Sequence, residues 1–130
     1  MVDRLTEGLN VAGRALNGAR ILLIGAAYKR NVEDVRESPA IRIIQLLQER
    51  LAEVSYHDPY VPRLETRHLA QALTSTRLSP EAIASSDAVV IVTDHGNIDY
   101  KMILEHARLV VDTRNATAPY RTPSHKVIMA

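Results

Sequence analysis

The 130 residues carry 16 Lys and Arg against 15 Asp and Glu, a formal charge of +1, so there is no broad electrostatic footprint for nucleic acid or an anionic membrane and any anion site must be local. The absence of cysteine excludes a disulfide framework, a thiolate zinc site and a cysteine nucleophile within these residues, and is compatible with a cytoplasmic location. The length suits one domain with one core; Met1-Val-Asp-Arg-Leu-Thr-Glu7 lacks the apolar centre of a signal peptide, and no apolar run approaches the roughly 18 to 20 residues of a membrane span.

Leu5, Leu9, Ala12 and Leu16 recur at helical spacing, and Asn17-Gly18 supplies a residue tolerant of the left-handed conformation, so a first helix is expected to end there. Ile21 to Ile24 is a continuous apolar run, the pattern of a strand covered on both faces by helices. After a polar loop, Ser38 offers a side-chain cap and Pro39 fits a first helical position, which needs no backbone donor. The inner face of this second helix is read as Ala40, Ile41, Ile44, Leu47 and Leu51, broadened by Ile43 and Leu46. Glu53 to His57 reads as a strand closed by Asp58-Pro59, because the residue before proline avoids the helical region. Pro62 to Ser79 has weak signals, with one helical turn expected around His68 to Leu73. Ser79-Pro80-Glu81 resembles a helix start, and Ala88 to Thr93 is the clearest buried strand, turning at Asp94-His95-Gly96-Asn97. Asp99 can cap a helix through Ala107, Leu109 to Val111 begins a strand ending at Asp112-Thr113-Arg114, and Lys126 to Met129 reads as a last edge strand. Strands alternating with helices, without hairpin signals or internal repeats, predict an α/β fold, a Rossmann-like three-layer sandwich with a mainly parallel sheet.

The loop after the first strand gathers Tyr28, Lys29, Asp34 and Arg36 at a strand's carboxyl end, where open α/β sheets place their ligands. Lys29 is a mobile point charge and Arg36 a planar fork of donors, both suited to phosphate oxygens; the bland alternative is a pair of solvated loop charges. Asp34 is expected to orient Arg36 or organise the loop rather than to transfer a proton, and Ser38 to close the loop as a cap. Arg114 also follows a strand, with Asp112 expected as its local anchor. Asp58 is favoured as a turn-forming residue over a ribose ligand, because Gly25 has no glycine partner at the dinucleotide-binding spacing. His95 is expected as a polar turn histidine rather than a proton carrier, and the five scattered histidines lack a metal-ligand spacing.

The pattern Gly25-x-x-Tyr28-Lys29-x-x-x-x-Asp34-x-Arg36-x-Ser38-Pro39, with Tyr56-His-Asp-Pro-Tyr60 and Val110-Val-Asp-Thr-Arg-Asn115, resembles the C-terminal domain of UDP-glucose/GDP-mannose-type nucleotide-sugar dehydrogenases. The likeness is strongest to bacterial enzymes acting on UDP-sugars and UDP-N-acetylhexosamines. It implies a UDP-sugar-binding domain of an NAD-dependent 6-dehydrogenase of polysaccharide biosynthesis, which oxidises a sugar C6 alcohol to a carboxylate. Tyr28, Lys29 and Arg114 would face the substrate, the last sometimes that of a partner subunit, and Arg36 would reach an NAD bound mainly by an N-terminal domain. Residues 1–18 would be the end of an interdomain helix and 19–130 the nucleotide-sugar-binding domain, possible homodimerisation belonging to the parent enzyme. The family holds its aldehyde-level intermediate on a cysteine, so these residues alone are expected to be inactive, as an expressed domain or a truncated reading frame. Related domains usually have glycine at the position of Leu51. The alternatives are a stand-alone uridine-nucleotide-binding module and a non-catalytic assembly domain.

Overall fold

The computed structural model describes residues 1–27, 30, 31, 35 and 38–130. Its elements follow in the order α1 (Val2–Val11), β1 (Arg20–Ile24), α2 (Pro39–Glu49), β2 (Glu53–His57), β3 (Arg63–Leu64), β4 (Leu73–Thr74), α3 (Pro80–Ala84), β5 (Ala88–Ile91), α4 (Tyr100–His106), β6 (Val110–Asp112) and β7 (Val127–Met129). Five strands form one sheet in the order β2-β1-β5-β6-β7, every neighbouring pair parallel, so all five carboxyl ends lie along one edge.

The period of two in the apolar strands divides the core. Ile21, Leu23, Val90 and Val111 face Leu5 and Leu9 of α1 and Ala40, Ile44 and Leu47 of α2. Leu22, Ile24, Val89, Ile91 and Val110 face Ile83 of α3 and Ile103 and Leu104 of α4. Both faces are therefore covered, which is why these strands read as unbroken apolar runs, each buried Leu, Ile or Val contributing about 1.5–3 kcal/mol relative to exposure. The Rossmann-like α/β sandwich is the architecture that the sequence predicts. Three helix starts also follow their local chemistry: Ser38 Oγ accepts from Ala40 N, Ser79 Oγ from Ala82 N, and Asp99 Oδ1 from Met102 N. Among the described residues no helix is long and apolar enough to cross a membrane.

Three expectations are corrected. The first helix ends at Val11 rather than near Asn17: Gly13 takes the left-handed conformation (φ +78), its N–H donates to Asn10 O and that of Arg14 to Leu9 O, a Schellman ending. Gly18 is also left-handed, but in a turn where it donates to the Leu51 carbonyl. The region from Pro62 to Ser79 holds no helical turn around His68; β3 and β4 pair antiparallel there, in two-residue strands too short for a periodic signal. Leu51 does not join the inner face of α2 but stands 64% exposed.

Leu51 explains how α2 ends. Its N–H donates to Gln48 O and that of Ala52 to Leu47 O, with Leu51 itself at φ +66. This is the Schellman geometry again, now with a leucine in the left-handed position that glycine fills most easily. Leu51→Gly should raise stability by about 0.5–1 kcal/mol, the relief of the left-handed strain exceeding the entropy gained by the unfolded chain. Chemical denaturation of the two proteins checks this, and a loss of stability would contradict the strain.

Candidate functional site

Strand order decides where loops can converge. From β1 the chain crosses through α2 to β2 on one side, then returns to β5 on the other, so β1 and β5 flank the topological switch point. The loops leaving their carboxyl ends must meet there. Gly25 makes the approach possible: at φ +96, an added Cβ would lie 2.4 Å from Thr93 Cβ and 2.7 Å from Thr93 N, a collision with backbone that cannot move aside.

A buried polar cluster fills the mouth behind them. Asp58, 1% exposed, accepts on Oδ2 from Ala26 N at 2.7 Å and Ala27 N at 3.0 Å, and on Oδ1 from Tyr60 N at 2.8 Å. The Tyr60 bond is the turn-forming role read from sequence; the grip on the loop after β1 is additional. His95 Nε2 lies 2.8 Å from the same Oδ2, and His95 Nδ1 accepts from Asn31 N at 2.7 Å. Because Nδ1 faces an N–H donor, the ring is the neutral tautomer with its proton on Nε2, donating to the Asp58 carboxylate. Asn31 is left-handed (φ +58), which asparagine tolerates, and its Oδ1 accepts from Gly96 N at 2.8 Å. On the near side, Ala27 O accepts from Thr93 Oγ1 at 2.8 Å and Ser38 Oγ at 3.4 Å. Ser38 therefore organises the loop as well as capping α2.

His95, expected as a polar turn histidine, is fully buried. The Tyr60 ring packs on it at 4.7 Å between centroids, and Tyr100 Oη donates to its carbonyl. Burial, then the Asp94 charge, pushes the Tyr100 phenol up, so it serves as a donor. Above the cluster, Arg30 approaches Asp94 at 3.9 Å with both side chains in contact with solvent, beside a hollow of about 170 Å³ whose lining includes Gly96, Tyr100 and Tyr120.

The next strand contributes a second buried carboxylate. Asp112, fully buried, accepts from Arg114 N and Ala116 N on Oδ1 and from Thr117 N and Thr117 Oγ1 on Oδ2. Burial alone would raise its carboxyl, but the Thr117 hydroxyl and the backbone donors of Thr117, Arg114 and Ala116 outweigh it and hold the group below the usual carboxylate range. Asp112 thus anchors Arg114 through its backbone. The Arg114 Nε donates to Val92 O at 3.0 Å, which lays this exposed guanidinium across the end of β5, on the edge of the sheet where the loop after β1 departs.

Residues 22–119 match the UDP binding domain of the UDP-glucose/GDP-mannose dehydrogenase family. The chain belongs to this family. It is 35% identical over 109 residues to a UDP-glucose 6-dehydrogenase of Rhizobium meliloti, an alignment covering 80% of this chain and 25% of that protein. It is 34% identical over 104 residues to a UDP-N-acetyl-D-mannosamine dehydrogenase of Methanococcus vannielii, covering 74% of this chain and 22% of that one. Among solved structures, the UDP-D-ManNAc dehydrogenase of Pyrococcus horikoshii superposes with a TM-score of 0.77 at 25% identity, over 98% of this chain and 29% of that one. The chain spans about a quarter of the length of the curated relatives it matches.

Of the site residues predicted from sequence, Ser38 and Arg114 stand at the carboxyl edge of the sheet, whereas Tyr28, Lys29, Asp34 and Arg36 lie outside the described residues. Sequence reasoning missed Asn31 and Thr93 and understated Asp58 and His95. The available signal was topological: a loop after the strongest strand must face the loop after β1 wherever the strand order reverses.

Because Asp112 titrates below its ordinary range in the folded chain, unfolding in acid takes up a proton. Its contribution is complete above the unfolded pKa and is lost as pH falls through the folded value. Denaturation at a series of pH values should show stability declining below about pH 4. Asp112→Asn should lose about 3 kcal/mol at neutral pH and decline less steeply in acid, Asp87 supplying the remaining slope. Equal stability of variant and parent at neutral pH would contradict this account of Asp112.

Proposed function

We propose that the chain is the C-terminal UDP-sugar-binding domain of an NAD-dependent nucleotide-sugar 6-dehydrogenase, an enzyme that oxidises a sugar C6 alcohol to a carboxylate in the cytoplasm. The observation that carries this reading is the match to the family's UDP binding domain, whose span brackets both the loop after β1 and Arg114. The switch-point geometry supports it. Backbone at Ala26, Ala27 and Asn31 is held on both sides of Tyr28 and Lys29, and Arg114 crosses the neighbouring strand end.

In this reading Tyr28, Lys29 and Arg114 contact the substrate, the two cations taking the charge of the diphosphate, while Asp34 and Ser38 organise the loop. The mouth itself does not fit a dinucleotide. Asp58, at the position where such folds hold a ribose hydroxyl, has both oxygens committed to protein donors and almost no exposure, and the glycine fingerprint is absent. NAD would therefore be held by another domain, with Arg36 of this chain reaching toward it. The thiol for the aldehyde-level step is also not among these residues. The contribution proposed for this chain is binding and orientation, with the N-terminal and central domains of the parent enzyme as its partners.

Calorimetric titration of the chain with UDP, using GDP and NAD as controls, tests the assignment. UDP should bind selectively, and Lys29→Ala should weaken it at least about tenfold, the loss of one charge-assisted phosphate contact. Affinity unchanged by Lys29→Ala, or no preference for UDP, would contradict it.

A further inference from the structure

The Asp58–His95 pair is more expensive than packing requires, because buried polar groups contribute net stability only when every partner is present. All their partners are present: among the described residues no buried side-chain nitrogen or oxygen lacks a hydrogen bond. Their protein contacts also fall at particular places. The two residues touch the loop after β1 through the N–H groups of Ala26 and Ala27 before Tyr28 and Lys29, and of Asn31 after them. The ring is locked by the Tyr60 face and by the Tyr100 bond to its own carbonyl, and Asp58 is locked by Tyr60 N.

We infer that His95 is a positioning residue for the nucleotide site: as the neutral Nε2–H tautomer it extends the anchorage of Asp58 to the Asn31 backbone, holding both ends of the Ala27-to-Asn31 span before ligand arrives. This rests on the UDP-binding reading above. The benefit is preorganisation, since the backbone at Ala27 and Asn31 is already fixed when the diphosphate binds. His95 donates nothing to the ligand, as both ring nitrogens are occupied by protein. Tyr60 packs on the ring and Tyr100 holds its carbonyl, so the acceptor end keeps its place when the donor end is cut, and the two ends can be tested separately.

Asparagine places a carbonyl oxygen near the position of Nδ1 and keeps the acceptor for Asn31 while losing the donor to Asp58. Glutamine reaches the position of Nε2, keeping the donor and losing the acceptor. Calorimetric titration of the 130-residue chain with UDP should show His95→Gln weakened about tenfold, the factor that one anchoring hydrogen bond implies, and His95→Asn within about threefold of the parent. The thermal midpoints of both variants should fall together, because each leaves one buried group unpaired. Amide exchange in the ligand-free proteins supplies the second readout: the Asn31 N–H should be protected in the parent and in His95→Asn and exposed in His95→Gln. Equal weakening of UDP binding by both substitutions, weakening by neither, or an Asn31 amide equally protected in both variants would overturn the inference. A parent chain that binds no UDP would instead remove the nucleotide reading and the positioning role with it, while Asn31 exchange would still decide whether His95 holds the loop.

Discussion

Asp58 accepts from Ala26, Ala27, Tyr60 and His95, and through these bonds one carboxylate at the end of β2 holds the loop of β1, its own turn and the loop of β5 in a single arrangement. The bonds to Ala26 and Ala27 meet backbone donors that have just left the sheet ladder and would otherwise be buried without acceptors. The constraint runs outward from there. His95 carries it to Asn31, Asn31 returns it to Gly96, and Thr93 closes the near side at the Ala27 carbonyl. Burial in this surrounding, together with the Asp58 charge, also pushes the Tyr56 phenol up to about 12, so that it remains a donor to Val61 O.

This cluster can exist only because the sheet brings the three strand ends together. β1 lies between β2 and β5, and Gly25 lets its exit pass against Thr93 at a distance no side chain would permit. Asp112 repeats the device one strand further on, with four donors on one buried carboxylate and Arg114 laid against Val92 O. Two buried carboxylate hubs thus flank the carboxyl edge of the sheet, within the span that matches the family's UDP binding domain. Rigid support of this kind is what a binding site needs if its affinity is not to be lost in ordering its own backbone.

Legibility in the sequence followed the range of the interactions. The helix starts at Ser38-Pro39, Ser79-Pro80 and Asp99 are two- or three-residue signals and could be read directly, as could the apolar runs of β1 and β5. The end of α1 was ambiguous because Gly13 and Gly18 are both left-handed, and nothing local says which of them stops the helix. Leu51 at positive φ broke the local rule, and β3 with β4 were too short to have a period. The buried role of His95 depends on a partner 37 residues away across the switch point. Lys29 and Arg36 are singled out in the sequence by resemblance and by their charge after a strand, and lie outside the described residues; the hubs at Asp58 and Asp112 could not be read there, because hydrogen-bond convergence leaves no pattern in the chain.

The most direct test of the account is residue-resolved amide exchange in Asp58→Ala, compared with the parent chain. Alanine removes both acceptor oxygens, whereas asparagine could keep its one carbonyl toward Ala26, Ala27 and His95. The account predicts that Ala26, Ala27 and Asn31 lose protection together while Val89, Val90 and Val111 in the sheet keep theirs. Unchanged protection at Ala26, Ala27 and Asn31, or uniform loss across the sheet, would contradict the claim that Asp58 is the hub of the mouth.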